Sequence, residues 1–229
     1  MNSNTILFGL YPYVAAIVCL VGCWARYDRE QYSWKAGSSQ VLRTKGMRLA
    51  SNAFHVGILF VLAGHFVGLL MPESLYHHVI STPNKQLLAM VSGGLFGALC
   101  FVGMTMLIVR RFTDERVKAS SSFSDNLVLV LLYIQLILGL STIYASSHHM
   151  DGSVMVMLAN WAQSIVLFRP VEAAAAIAPV GLVYKLHVFL GITLFLIFPF
   201  TRLVHIISGV AAPVKYLLRN YQIVRQKRG

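Results

Sequence analysis

The chain has 229 residues, of which 57% are apolar and only 12% charged, about half the charged share of an ordinary soluble domain. That composition excludes a soluble globular enzyme and a disordered tail, and five spans of roughly 20 residues leave little room for a large extramembrane catalytic domain. The net charge of +11 lies between apolar runs and not on one compact face, which argues against a nucleic-acid partner.

Five apolar runs follow in chain order: Ile6–Ala25, Leu49–Met71, Leu87–Val109, Asn126–Ala145 and Val180–Ile207. Each can cross about 30 Å of hydrocarbon as a helix, and a helix satisfies its own backbone groups where there is no water. The expected fold class is all-α, a transmembrane bundle of five helices. Residues 1–207 read as one membrane domain and 208–229 as a basic cytoplasmic tail. Leu20-Val21-Gly22-Cys23 looks like a lipoprotein cleavage site, but no Lys or Arg precedes Arg26, so the segment reads as a retained first helix. The fifth run is the longest and should tilt, kink or project beyond the bilayer; Pro199 supplies a kink. A sixth stretch, Val154–Phe168, carries Asn160, Trp161 and Gln163 and reads as an interfacial or re-entrant helix.

Sixteen of the nineteen basic residues fall within Arg26–Arg48, within Arg110–Lys118, and from Arg202 to the end; the others are Lys85, Arg169 and Lys185. The positive-inside rule then places the N-terminus outside and the C-terminus in the cytoplasm. Cys19, Cys23 and Cys100 form no CxxC pair and no CxxCH, so cysteine-ligated clusters and covalently attached haem are not expected.

The eight histidines fall into two groups. His77, His78, His148 and His149 form two dyads in outside loops without a spaced partner set, and read as solvated loop residues. His55 and His65 lie in the second span, His187 and His205 in the fifth. Ionisable groups in a bilayer are expensive and point to function, although a lone imidazole also serves to bond a neighbouring helix. The second span runs outward and the fifth inward. His55 and His205 therefore fall toward the cytoplasm, His65 and His187 toward the outside. Two antiparallel helices with imidazoles matched by depth suit two stacked bis-His haems, since b-type haem is held by such bonds alone.

The register is less regular. On the fifth span the two histidines lie 18 residues apart, five whole turns, which puts both rings on one face. On the second span the 10-residue spacing leaves the rings roughly 80° apart around the axis. The axial rises, about 15 Å and about 27 Å, also differ; tilt and the Pro199 kink would absorb the mismatch. Gly57, Ala63, Gly64 and Gly68 either admit a macrocycle or pack helices. Arg202 either faces a haem propionate or snorkels inward.

Longer stretches are more specific. They include Tyr11-Pro12-Tyr13, the loop from Arg26-Tyr27-Asp28 to Ser38-Ser39-Gln40, and Leu49-Ala50-Ser51-Asn52-Ala53-Phe54-His55. They continue with Gly64-His65-Phe66, His149-Met150-Asp151-Gly152-Ser153, Trp161-Ala162-Gln163-Ser164, and Phe198-Pro199-Phe200-Thr201-Arg202-Leu203-Val204-His205. With these the chain resembles, nearly end to end, the gamma (cytochrome b) subunit of membrane-bound respiratory nitrate reductase. The resemblance implies a multi-pass subunit of a bacterial inner membrane with a periplasmic N-terminus. It implies two haem b groups between the second and fifth helices, with His55 and His205 on the inner iron and His65 and His187 on the outer iron. Quinol would be the substrate, oxidised near the outer haem with its protons leaving outside. Electrons would pass to an iron–sulfur beta subunit and then to a molybdenum-containing alpha subunit that reduces nitrate in anaerobic respiration. The chain would then be the quinol-oxidising subunit and would not itself reduce nitrate. The Ala-rich loop Pro170–Ala178 does not align and lends no residue.

Lys85 is one of three basic residues on the outer side and opens the third helix near the interface. Two readings stand: a quinol-site ammonium, which the resemblance also implies, or a snorkelling helix anchor. Rival functions are a dihaem cytochrome b of another quinol-linked complex, a small transporter, or a structural anchor. The chain shows no inverted repeat, which counts against a transporter.

Overall fold

The computed structural model describes residues 2–35, 37, 42 and 46–209. The basic residues Arg43 and Lys45, and the basic tail from 210 onward, lie outside the described residues. Nine helices are described: α1 (Thr5–Arg29), α2 (Met47–Leu70), α3 (Glu73–Tyr76), α4 (Thr82–Thr113), α5 (Glu115–Ala119), α6 (Phe123–Ser146), α7 (Ser153–Val166), α8 (Pro170–Ile177) and α9 (Leu182–Ile197). Thr5–Leu10, at the start of α1, is wound as a π-helix. Five segments are long and apolar enough to cross a membrane: α1, α2, α4, α6 and Leu182–Phe200. The chain is an all-helical, multi-pass membrane protein. The long helices neighbour one another in the order α2, α4, α6, α9, α1.

Local chemistry sets several boundaries. α4 has 32 residues, about 48 Å at 1.5 Å per residue, longer than its apolar run because its polar flanks stay helical outside the hydrocarbon. Pro83 stands in its first turn, where a missing N–H costs nothing. Asp114 caps α5 by accepting from the Arg116 and Val117 amides at 3.1 and 3.2 Å. Ser122 and Asp125 close a reciprocal capping box at the start of α6.

α2 and α4 make the most extensive helix pair, and glycine permits their approach. A Cβ on Gly57 would sit 2.6 Å from the Cys100 amide nitrogen and 2.7 Å from the Phe96 carbonyl oxygen; one on Gly103 would sit 2.8 Å from the Ala50 carbonyl oxygen. By contrast, no atom lies within 4 Å of a Cβ built on Gly64 or Gly68. Gly57 is thus a helix-packing residue, whereas Gly64 and Gly68 have room beside them. Gly57→Ala and Gly103→Ala should each destabilise the bundle by about 1–3 kcal/mol through overpacking, and Gly64→Ala should not. Thermal midpoints of the three detergent-solubilised variants check this.

The fifth span corrects the expected register. It breaks at Pro199 and does not merely bend. α9 ends at Ile197, Phe198–Phe200 forms a 3-10 turn, Thr201 is extended (φ −121°, ψ 177°), and Arg202–Val204 forms a second 3-10 turn. Helix resumes over 205–209. Eighteen residues of continuous α-helix therefore do not join His187 to His205, and the one-face, 27 Å argument fails. The break exposes backbone carbonyls, and Arg26 of α1 takes them up. Its Nη1 donates to the Pro199 carbonyl at 2.6 Å and to the Thr201 carbonyl at 2.8 Å. Its Nη2 and Nε donate to the Ser33 carbonyl and hydroxyl oxygens at 2.8 and 3.1 Å. Asp125 of α6 pairs with Arg202 Nε at 3.5 Å and Arg111 Nη1 at 4.0 Å, and an Arg202 Nη2 also donates to the Gly37 carbonyl. Arg202 therefore ties the broken segment to α6 and to the loop after α1.

The opposite end of the bundle holds the main apolar cluster. Phe8, Ile177, Val180 and Tyr184 are buried there, with Val154, Met157, Leu158 and Trp161 packed against them. α7 is too short to span, and α8 occupies the stretch read as an irregular loop. α7 is bonded in place: Trp161 Nε1 donates to the Phe8 carbonyl at 2.9 Å, and Gln163 Nε2 to the Leu69 carbonyl at 3.1 Å.

Candidate functional site

All four membrane histidines share one feature. Each has Nδ1 against a backbone carbonyl: His55 with Ser51 at 2.7 Å, His65 with Val61 at 2.8 Å, His187 with Gln135 at 3.2 Å and His205 with Arg202 at 2.6 Å. A carbonyl only accepts, so Nδ1 carries the proton in each ring. In the neutral imidazole this leaves Nε2 with its lone pair, the atom a metal takes, with the other nitrogen fixing the tautomer. His55 and His65 bond within their own helix one turn back. His187 reaches across to α6, and His205 bonds the 3-10 turn that follows the break.

The structure brings His65 of α2 and His187 of α9 together. Their ring centres are 6.0 Å apart and their planes 39° apart. α2 packs chiefly on α4 and α7, and α9 on α6 and α1, so these two rings meet across the arc of helices. His55 and His205 are not in ring contact with each other. His77, His78, His148 and His149 are exposed in the loops, and no group of three or more metal-ligating side chains occurs among the described residues.

α6, which carries no histidine, shapes the setting of His187. Gln135 Nε2 donates to the His187 carbonyl at 3.1 Å, and the Gln135 carbonyl accepts from the ring. One turn on, a Cβ at Gly139 would stand 3.0 Å from His187 Cε1, so the absent side chain lets the imidazole lie against the helix.

Lys85 lies in the first turn of α4 and is only 8% exposed. Its Nζ donates to the Gly68 carbonyl at 3.2 Å and lies 3.7 Å from the centre of the Tyr76 ring. Gly68 is three residues past His65 on the last turn of α2. The ammonium is therefore held inside, near the turn of α2 that follows His65, and does not snorkel to water.

A family model described as nitrate reductase gamma subunit matches residues 4–227. The chain belongs to that family. It is 49% identical over 224 residues to the respiratory nitrate reductase 1 gamma chain of Escherichia coli strain K12, covering 98% of each chain. It is 34% identical over 226 residues to the nitrate reductase gamma chain of Bacillus subtilis strain 168, covering 98% of this chain and 99% of that one.

Within this gamma subunit, sequence reasoning missed two contributors. Gln135 is a polar residue inside an apolar span, a signal that was there to read. Arg26 was counted only as a topology charge, because nothing local to it announces the carbonyls it serves.

Proposed function

We propose that this gamma chain is the quinol-oxidising, dihaem cytochrome b subunit of a respiratory nitrate reductase. His65 and His187 would hold the outer haem, and His55 and His205 the inner one. The observation that carries this reading is the closeness of the His65 and His187 rings, with both Nδ1 protons committed to carbonyls. A metal bonded to two opposed imidazoles at about 2 Å each holds their ring centres roughly 6 Å apart, and the rings are 6.0 Å apart. The donor set suits haem iron, and the room beside Gly64 and Gly68 suits a macrocycle. When bound, haem supplies a one-electron acceptor within the membrane.

The chain's own residues do the rest. Gln135 and Gly139 fix the His187 ring. Lys85 offers an ammonium, already oriented by Gly68 and Tyr76, to a quinol oxygen on which negative charge grows as its proton departs. The concentration of basic residues in three segments supports a periplasmic N-terminus and a cytoplasmic C-terminus in a bacterial inner membrane. Those inner segments would dock an iron–sulfur beta subunit that relays electrons to a molybdenum-containing alpha subunit; the chain would not reduce nitrate itself.

Lys85→Ala in the assembled complex tests the reading. Pyridine haemochrome analysis should still return two b haems per chain, while quinol-dependent haem reduction falls by at least about a hundredfold, the scale of one lost charge-stabilising donor. Nitrate reduction from an artificial donor should continue. Unchanged quinol oxidation would remove Lys85 from the site, and a chain without haem would overturn the whole reading.

A further inference from the structure

A hydrogen-bonded chain of side chains runs from α3 to the first residue of α4. Tyr76 is 5% exposed, and its ring lies under Lys85. Its hydroxyl is 3.2 Å from Thr82 Oγ1. Thr82 Oγ1 is in turn 2.8 Å from His77 Nε2, and the same nitrogen is 3.1 Å from Glu73 Oε1. The His77 and Glu73 side chains are about half exposed, at 49% and 53%. A line of exchangeable protons thus runs from a buried phenol beside Lys85 to a carboxylate in water. Gly152, at φ +82°, lets the α6–α7 loop lie against the Thr82 methyl.

We infer that Tyr76, Thr82, His77 and Glu73 form the proton exit of the quinol site. The inference rests on the proposed oxidation of quinol beside Lys85. Oxidising one quinol frees two electrons and two protons; the electrons would leave one at a time to the proposed haem, and the protons must reach water. Each proton enters on the Tyr76 oxygen as the phenol passes its own to Thr82 Oγ1. The Thr82 hydroxyl passes its proton to His77 Nε2, giving an imidazolium that the Glu73 carboxylate stabilises. The imidazolium hands the Nε2 proton to Glu73, from which it leaves to water. His77 needs no change of tautomer, because one nitrogen faces both partners, and hydroxyl rotation resets the chain.

The test uses the whole complex in vesicles. Tyr76→Phe keeps the ring beneath Lys85 and removes only the relay oxygen. It should slow quinol-driven haem reduction by at least about a hundredfold, the lower end of general acid–base contributions. Fluorescence-monitored binding of a quinol-site inhibitor and both haem spectra should stay unchanged. Thr82→Val should match it, and Thr82→Ser should restore the rate. His77→Ala should be slow and should recover when imidazole is added to the outer medium. Wild-type rates in Tyr76→Phe and Thr82→Val, or a slow His77→Ala that imidazole does not rescue, would overturn the relay. Should Lys85→Ala also oxidise quinol normally, the placement of quinol is what has failed.

Discussion

Alanine in place of either His65 or His187 is expected to delete one b-type haem, halve the reduced-minus-oxidised absorbance and abolish quinol oxidation. The effect is all-or-none because b-type haem depends on its axial bonds and no third imidazole stands beside the pair. The two ring centres are 6.0 Å apart, so losing either would leave the proposed haem iron with one ligand. The double variant should look like either single one. Alanine at His55 or at His205 should delete the other haem while leaving quinol able to reduce the one that remains. Redox-titrated difference spectra of the four single variants decide the matter. If His65→Ala and His205→Ala removed the same haem, the pairing would be wrong.

The next largest effect is expected away from the histidines. Arg26→Ala strips the Pro199 and Thr201 carbonyls of their donor in a partly buried site. Hydrogen bonds to a charged group contribute about 1.5–3 kcal/mol each, so a loss of about 3 kcal/mol is expected once water returns to the gap. His205 lies four residues after Thr201 and takes its Nδ1 partner from the Arg202 carbonyl in the second 3-10 turn. The inner haem should therefore be lost first on heating, with the outer haem surviving longer. Arg26→Lys should recover only part of the stability, since a single ammonium cannot match the planar fork that reaches three residues at once. Thermal bleaching of the two haems, followed separately, is the measurement. Equal melting of both, at the wild-type temperature, would show that the clamp contributes nothing.

Much of this architecture was legible in the amino acids. The five spans announced themselves by apolar length, and the boundary errors at α4 arose because Thr82–Gln86 and Arg110–Thr113 are polar yet helical. The intramembrane histidines stood out because charge-capable groups are rare there. Their matching by depth rests only on the expected direction of each span, and the structure adds ring contact for His65 and His187.

What could not be read is tertiary. Pro199 foretold a disturbance, but an extended Thr201 and two 3-10 turns depend on Arg26 and Asp125, residues distant in sequence. α8 carries its own helix signals in Pro170 at its start, Glu172 in the first turn and four consecutive alanines. Nor does Lys85 disclose its burial from sequence, since that depends on the Gly68 carbonyl and the Tyr76 ring folding over it.

The clamp on the broken span also carries a schedule. Arg26 and its carbonyl partners are separated by 173 and 175 residues. At about 5–20 residues per second, a ribosome needs roughly 10–35 s to reach those partners after Arg26 has emerged. During that interval the guanidinium has only the Ser33 oxygens to hold, and the first helix sits in the bilayer without its lock on the fifth. The turn that presents His205 can set only when synthesis is almost complete. With His205 holding the inner haem as proposed, insertion of that haem would be a late event in biogenesis, and a chain cut short before His205 would never acquire it.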